Sequence, residues 1–298
     1  MPEPGADAPP CSLAQSLTQL CQCGLTRLDA QMLLLLALGR PPHDRAWLLA
    51  HDGDTLERAA SVRLAALTQR RQAGEPMAYL RGEQEFYGLA LRVDARALVP
   101  RPETETLVAW ALELLPPAAR VVDLGTGTGA IALALCATRP DLQVHAVERS
   151  GATLALAQEN AERLALPVQW HQGNWFEALG PKAAAFDAIV SNPPYVAAAD
   201  PHLAALAHEP LAALASGADG LDDLRHIVSQ AGAHLKSAGW LLLEHGFEQG
   251  HAVRKALQEA GFGAIQTRCD LAGLERCSAA QWPAAVQGLG DAPDQTMK

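Results

Sequence analysis

Apolar residues along this 298-residue chain change their spacing twice. From Ser12 to about Ala73, Leu13, Leu17 and Leu20, then Leu28, Met32, Leu35 and Leu36, return mostly at three- and four-residue steps, the period of one helix face. Gly39-Arg40-Pro41-Pro42 and Asp52-Gly53-Asp54 interrupt the run, so the spacing predicts several short helices in a small bundle. Residues 83–99 change character. Glu85-Phe86-Tyr87-Gly88-Leu89-Ala90-Leu91-Arg92-Val93 mixes aromatics, glycine and alternating apolar positions, which predicts a hairpin. Pro100 and Pro102 punctuate the chain, and 103–115 reads as a helix.

Beyond residue 118 short apolar runs alternate with helical stretches. The predicted strands are Arg120–Leu124, Gln143–Glu148, 168–172, Phe186–Ser191, 240–244 and 264–269, with 275–280 as a seventh. Ser150 stands where it would cap the helix that follows the second strand. Such alternation predicts an α/β domain, a mostly parallel sheet with helices on both faces. The division expected is a helical domain over 1–82, a hairpin linker over 83–102 and the α/β domain over 103–298. Residues 1–10, rich in proline and acid, read as a disordered lead-in, and the tail after Trp282 as frayed.

Composition narrows the functions open to this fold. The formal net charge of −10 gives a field that repels phosphates, against a nucleic-acid substrate. None of the six cysteines forms a CxxC pair and the ten histidines offer no HxxxH or HExxH, so no metal is assigned. The start lacks a basic segment, and the longest apolar run, 32–38, is too short to cross a bilayer. A cytoplasmic protein without a membrane partner is expected.

Two motifs carry candidate chemistry. Val121-Val122-Asp123-Leu124-Gly125-Thr126-Gly127-Thr128-Gly129-Ala130-Ile131 runs from a strand through a glycine loop into a helix. Its glycines let the backbone pass tightly under a ligand, and the helix start offers amide hydrogens to an anion. Gly125-x-Gly127-x-x-Ala130 also satisfies a loose dinucleotide fingerprint. Asp123 favours a cationic ligand: a carboxylate repels pyrophosphate but attracts the ammonium and sulfonium of S-adenosylmethionine. Glu148, about 20 residues past the loop, stands where an acid holds ribose hydroxyls, which either cofactor would use.

The second motif, Asn192-Pro193-Pro194-Tyr195, follows the fourth strand and so lies on the same sheet edge as the loop. It suits a planar NH₂ group. The Asn192 side-chain oxygen can accept one hydrogen and the Pro193 carbonyl the other. Pro193 and Pro194 stiffen the backbone, and Tyr195 can stack on a flat amide or base.

With these residues the chain resembles the peptide chain release factor glutamine methyltransferases, also called PrmC or HemK. The resemblance spans about residues 12–280. It is most specific in Gly74-Glu75-Pro76-Met77-Ala78-Tyr79-Leu80, Leu98-Val99-Pro100-Arg101-Pro102-Glu103-Thr104-Glu105, the glycine loop, residues 191–196 and Asp270-Leu271-Ala272-Gly273. It implies a class I, Rossmann-like methyltransferase domain behind an N-terminal helical domain; substrate recognition is expected of the helical domain, since a single exposed glutamine supplies little specificity. It implies methylation, by S-adenosylmethionine, of the side-chain nitrogen of the glutamine in the Gly-Gly-Gln loop of bacterial release factors. By the same similarity Gly125, Thr126, Gly127, Thr128, Gly129, Glu148, Trp175 and Asn192 bind the cofactor. Asn192, Pro193, Pro194 and Tyr195 bind the glutamine, with Asn192, Pro193 and Tyr195 in the catalytic role. Two positions depart from the pattern: Glu148 stands where an Asp is commoner, and Asn174 where an Asp usually precedes the aromatic Trp175. Two related readings are an adenine-N6 DNA methyltransferase and a ribosomal-protein glutamine methyltransferase. The first needs base flipping and a basic surface; the second usually differs in the Pro-Arg-Pro-Glu-Thr-Glu stretch. A non-catalytic sensor of the cofactor would have no use for the full Asn-Pro-Pro-Tyr motif.

Overall fold

A computed structural model describes residues 11–180 and 185–284. The expected lead-in over 1–10, and the tail from residue 285 on, lie outside the described residues. The chain divides into two compact units.

The first unit is built from α1 (Leu13–Gln22), α2 (Arg27–Ala37), α3 (Arg45–Ala50), α4 (Arg58–Gln72) and α5 (Met77–Arg81). Polar residues start three of these helices. Ser12 and Gln15 form a reciprocal capping box on α1, and Thr26 and Asp44 cap α2 and α3. The apolar stripes meet in a core that includes Leu13, Leu20, Leu33, Leu34, Leu48 and Leu64. Arg71 on α4 pairs with Asp29 on α2 at 3.1 Å.

Arg92–Val99 and Pro201–Pro210 also belong to this unit. The second of these segments falls inside the 103–298 span that sequence assigns to the α/β domain. Side chains and backbone explain the placement. Val99 N donates to the buried Glu209 carboxylate at 2.9 Å, His208 Nε2 lies 2.8 Å from the Ala73 carbonyl, and Tyr79 Oη donates to the Ala97 carbonyl at 2.6 Å.

Strands β1 (Glu83–Phe86) and β2 (Leu89–Arg92) form the expected hairpin. Tyr87 and Gly88 both take positive φ (51° and 77°), the turn whose twist matches a two-residue hairpin.

The second unit holds β3 (Arg120–Leu124), β4 (Gln143–Glu148), β5 (Gln169–Gln172), β6 (Phe186–Ser191), β7 (Leu235–Glu244), β8 (Gly263–Cys269) and β9 (Glu275–Gln281). They form one seven-stranded sheet in the order β5-β4-β3-β6-β7-β9-β8. The first five run parallel, and β9 is antiparallel to both β7 and β8. Alternate strand residues face opposite ways. Val121, Val144, Val190 and Leu242 therefore pack with α6 (Glu105–Leu114), α7 (Ala130–Thr138) and α8 (Gly151–Leu164). Val122, Ile189, Leu241 and Leu243 pack with α9 (Asp222–Ala231) and α10 (Gly250–Glu259). Ser150 caps α8 as expected, accepting from Thr153 N.

Two boundaries differ from expectation by more than one residue. The helix over 103–115 opens as a 3₁₀ turn, Pro102–Thr104, before α6. Strand β7 starts five residues early because the Lys236-Ser237-Ala238-Gly239 stretch, turn-like in sequence, is a bulge with Ala238 at φ 61°. No helix among the described residues is long and apolar enough to cross a membrane.

Candidate active site

The strand order turns back between β3 and β6, since the chain runs outward through β4 and β5 before returning beside β3. Ligands of open α/β sheets bind at such a switch point, beyond the carboxyl ends of the strands. Register then decides which residues meet there. Leu124 pairs with both Val147 and Ser191, and Ser191 pairs with Leu243. One residue further, Glu148, Gly125, Asn192 and Glu244 end adjacent strands at one level. The buried Ser191 hydroxyl donates to the Leu124 carbonyl at 2.7 Å, locking the ends of β3 and β6 together. A bond of this kind contributes about 1 kcal/mol net.

The glycine loop curls tightly over this edge. Gly125 N and Thr126 N both donate to the Val147 carbonyl, at 2.9 and 3.0 Å. Gly125, Gly127 and Gly129 all have positive φ, where a side chain is strained. A Cβ on Gly125 would stand 3.1 Å from the Trp175 ring, so glycine here lets the indole close on the loop. Over Gly127 there is open space. The threonines behave differently from the glycines. Thr126 and Thr128 are buried, with Thr126 Oγ1 donating to Asp123 at 2.5 Å and the Thr128 carbonyl accepting from Asn160 at 3.0 Å. The Thr126 side chain and the Thr128 carbonyl thus brace the loop from within.

Asp123 itself corrects the sequence reading. It is fully buried, and burial, with Glu148 adding repulsion, pushes its carboxyl up to about 7. It shapes the loop through Thr126 and is not an open charge for a cationic ligand. Glu148 is the acid that reaches the loop. Its carboxylate accepts from Gly127 N at 3.1 Å and from Ser150 N at 2.9 Å. Trp175 is half-buried with φ 44°, set by the short 3₁₀ turn Trp175–Leu179 that follows β5. Asn174 precedes it, and its side chain does not cap that turn.

Asn192 donates from Nδ2 to the Thr104 hydroxyl at 3.1 Å. Pro193 is buried, and Pro194 and Tyr195 are half-buried. Beyond the motif, Val196 bridges to Ala215 in parallel and Gln249 Nε2 donates to the Tyr195 carbonyl at 2.9 Å, so the loop is stapled on both sides. Tyr195 Oη donates to Glu244 at 3.2 Å, and burial raises its pKa well above that of an ordinary phenol.

The sequence-predicted residues Gly125 to Gly129, Glu148, Trp175 and Asn192 to Tyr195 thus gather at one sheet edge. Thr104 and Glu244 join them without having been foreseen. Glu244, a carboxylate ending an apolar strand at the level of Glu148, was the available sign.

Comparison with known proteins identifies the family. A family model described as "Methyltransferase small domain" matches residues 104–269, and one described as "PrmC N-terminal domain" matches residues 13–82. A release factor glutamine methyltransferase of Xylella fastidiosa is 48% identical over 87% of this chain and 94% of its own length. Those of Bordetella pertussis and Pseudomonas aeruginosa are each 46% identical, over 87% and 91% of this chain and 96% and 98% of their own lengths.

The chain belongs to the release factor glutamine methyltransferase family. The fold is also shared with a more distant protein. A methyltransferase structure from Pyrococcus furiosus superposes with a TM-score of 0.54 at 16% identity, covering 72% of this chain and 99% of that one, a likeness of fold alone.

Proposed function

We propose that this protein transfers a methyl group from S-adenosylmethionine to the side-chain amide nitrogen of the glutamine in the Gly-Gly-Gln loop of peptide chain release factors. The observation that carries the reading is the level register of Glu148, Gly125 and Asn192 at the switch point of the sheet. The relatives above, named for this activity, match the chain across both units.

The residues present fit the cofactor. The Gly125–Gly129 backbone, with open space over Gly127 and the start of α7 behind it, suits an anionic carboxylate. Glu148 is placed for ribose hydroxyls, and the Trp175 ring beside Gly125 offers an apolar wall. S-adenosylmethionine, when bound, supplies an electrophilic methyl group.

The remaining work falls to the chain. The Asn192 amide oxygen and the Pro193 carbonyl accept the two hydrogens of the glutamine NH₂ and fix its plane, with Pro194 stiffening the loop and Tyr195 flanking the amide. An amide nitrogen is a poor nucleophile, and no side chain here deprotonates it outright. Positioning therefore supplies much of the rate, up to roughly 7–11 kcal/mol in favourable systems. As the nitrogen takes the methyl group, the C–S bonding pair stays on the cofactor sulfur; the nitrogen turns positive, its hydrogens bind the two oxygens more strongly, and one proton then passes to water. The helical unit, assigned by sequence to 1–82, grips the release factor body, because one exposed glutamine offers little area for recognition. The substrate class places the reaction in the cytoplasm.

The test is transfer of labelled methyl groups from the cofactor to intact release factor, to a Gln→Asn version of its Gly-Gly-Gln loop, to DNA and to ribosomal protein. Release factor is labelled, and the Asn version about 10²-fold more slowly, since withdrawing the nitrogen by one methylene misplaces it by more than 1 Å. Equal labelling of both versions, or label in DNA or ribosomal protein alone, overturns the reading.

A further inference from the structure

Glu244 has no part in the chemistry above, yet it ends β7 at the level of Asn192 and is only 1% exposed. Two hydroxyls face it. Tyr195 donates to Oε1 at 3.2 Å, and the Thr104 hydroxyl faces the same carboxylate and lowers its pKa. Oε2 is buried with no hydrogen-bond partner among the described residues. Thr104 Oγ1 in turn lies 3.1 Å from Asn192 Nδ2.

The direction of these bonds follows from the donors available. An ionised carboxylate can only accept, and a threonine hydroxyl has a single proton. Facing Glu244, Thr104 spends that proton on the carboxylate and keeps only lone pairs for Asn192. The Asn192 amide must then present Nδ2–H to Thr104, which leaves Oδ1 on the other side. The reverse orientation would set an NH₂ against the substrate NH₂, donor against donor.

We propose that Glu244 is a positioning residue that sets the polarity of this chain of hydrogen bonds and, through Thr104, turns the Asn192 oxygen toward the substrate amide. The inference rests on Asn192 being the acceptor of the glutamine NH₂.

Charges around Glu244 come from every neighbouring element. Arg276 and Cys277 lie on β9, and Arg276 is paired with Asp270 at 3.1 Å. Glu103 precedes α6, Tyr195 follows β6, and Arg101 faces Tyr195. His245, the next residue on the chain, has its pKa lowered by burial. Burial dominates at Glu244 and, against Thr104, Arg276 and Tyr195, pushes the carboxyl up to about 7. Once protonated it can donate, and Thr104 is released to turn. Turnover therefore falls as pH drops through about 7.

The experiment compares Glu244→Gln, Thr104→Val and Thr104→Ser with the wild type. Glu244→Gln lowers kcat for release factor about 10²-fold, the scale of one lost transition-state contact, with KM little changed and the acid limb of the pH profile gone. Thr104→Val behaves alike, and Thr104→Ser restores turnover. A second readout needs no activity. The Asn192 side-chain NH₂ resonances, identified by their loss in Asn192→Ala, exchange slowly with solvent in the wild type and faster in Glu244→Gln. Wild-type kcat with an intact acid limb in Glu244→Gln, or unchanged exchange, overturns the proposal. If Glu244→Gln melts early, Thr104→Val carries both readouts. A wild type that methylates no release factor sinks the functional reading instead, and the exchange measurement still decides the role of Glu244.

Discussion

Among the described residues Asn192 makes a single side-chain bond, from Nδ2 to Thr104, within a loop held rigid by its own prolines and by Gln249. Its replacement by alanine removes an acceptor while leaving the strand ends locked by Ser191 and Leu124. Asn192→Ala therefore loses about 10²-fold or more in kcat yet melts within a few degrees of the wild type, as single-turnover assays and calorimetry would register. Near-normal kcat would remove Asn192 from the acceptor role. Trp175 and Gly125 show the same economy: one lacks a side chain so that the ring of the other can close on the loop.

At the scale of elements, one histidine joins four strands. His145 on β4 stacks on His171 of β5 with ring centroids 5.3 Å apart and meets the Phe186 edge of β6 at 5.2 Å. Arg120 Nε on β3 donates to its Nε2 at 3.0 Å, which requires a lone pair there and a neutral ring. Burial, then the charges of Arg120 and His171, bring its pKa down to about 4. The sign follows from linkage. Between about 6.5 and 4 the unfolded chain binds a proton that the folded ring refuses, so stability falls as pH falls across that window and is unaffected by this group above it. His145→Phe keeps a ring in place and removes the titration. Its melting temperature declines less steeply from pH 6.5 to 4 than that of the wild type, and an unchanged slope in calorimetry would mean the ring does not govern acid stability.

At the scale of the whole molecule, the proposed function assigns the two units different tasks. The switch-point residues all belong to the α/β unit, and both units carry exposed apolar side chains, those of the helical unit being Leu28 at 51%, Leu49 at 63% and Val62 at 61%. Isolated apolar residues on a surface are ordinary, but if the helical unit grips the release factor as proposed, these are natural contacts for it. The double substitution Leu49→Glu and Val62→Glu raises KM for intact release factor about tenfold, the scale of a contact of about 1.4 kcal/mol. It leaves kcat/KM for a short Gly-Gly-Gln peptide unchanged. Equal loss on both substrates would place the effect in folding and not in recognition.

Local signals in the sequence were enough to place most of the strands, the Ser150 cap, the glycine loop and the Asn-Pro-Pro-Tyr motif. Arg120–Leu124, Gln143–Glu148 and Phe186–Ser191 stand where apolar runs bounded by turns put them, and Ser150 caps α8. These features depend on neighbours a few residues apart, which a linear pattern records. What a linear pattern cannot record is which strand lies beside which, and with what register. That arrangement brought Glu244 level with Asn192, set Thr104 against it across 88 residues of chain, buried Asp123 under its own loop, and drew Pro201–Pro210 into the helical unit. The physical reason is that packing, burial and the direction of a hydrogen bond are properties of contacts between distant segments, and they exist only once the sheet has closed.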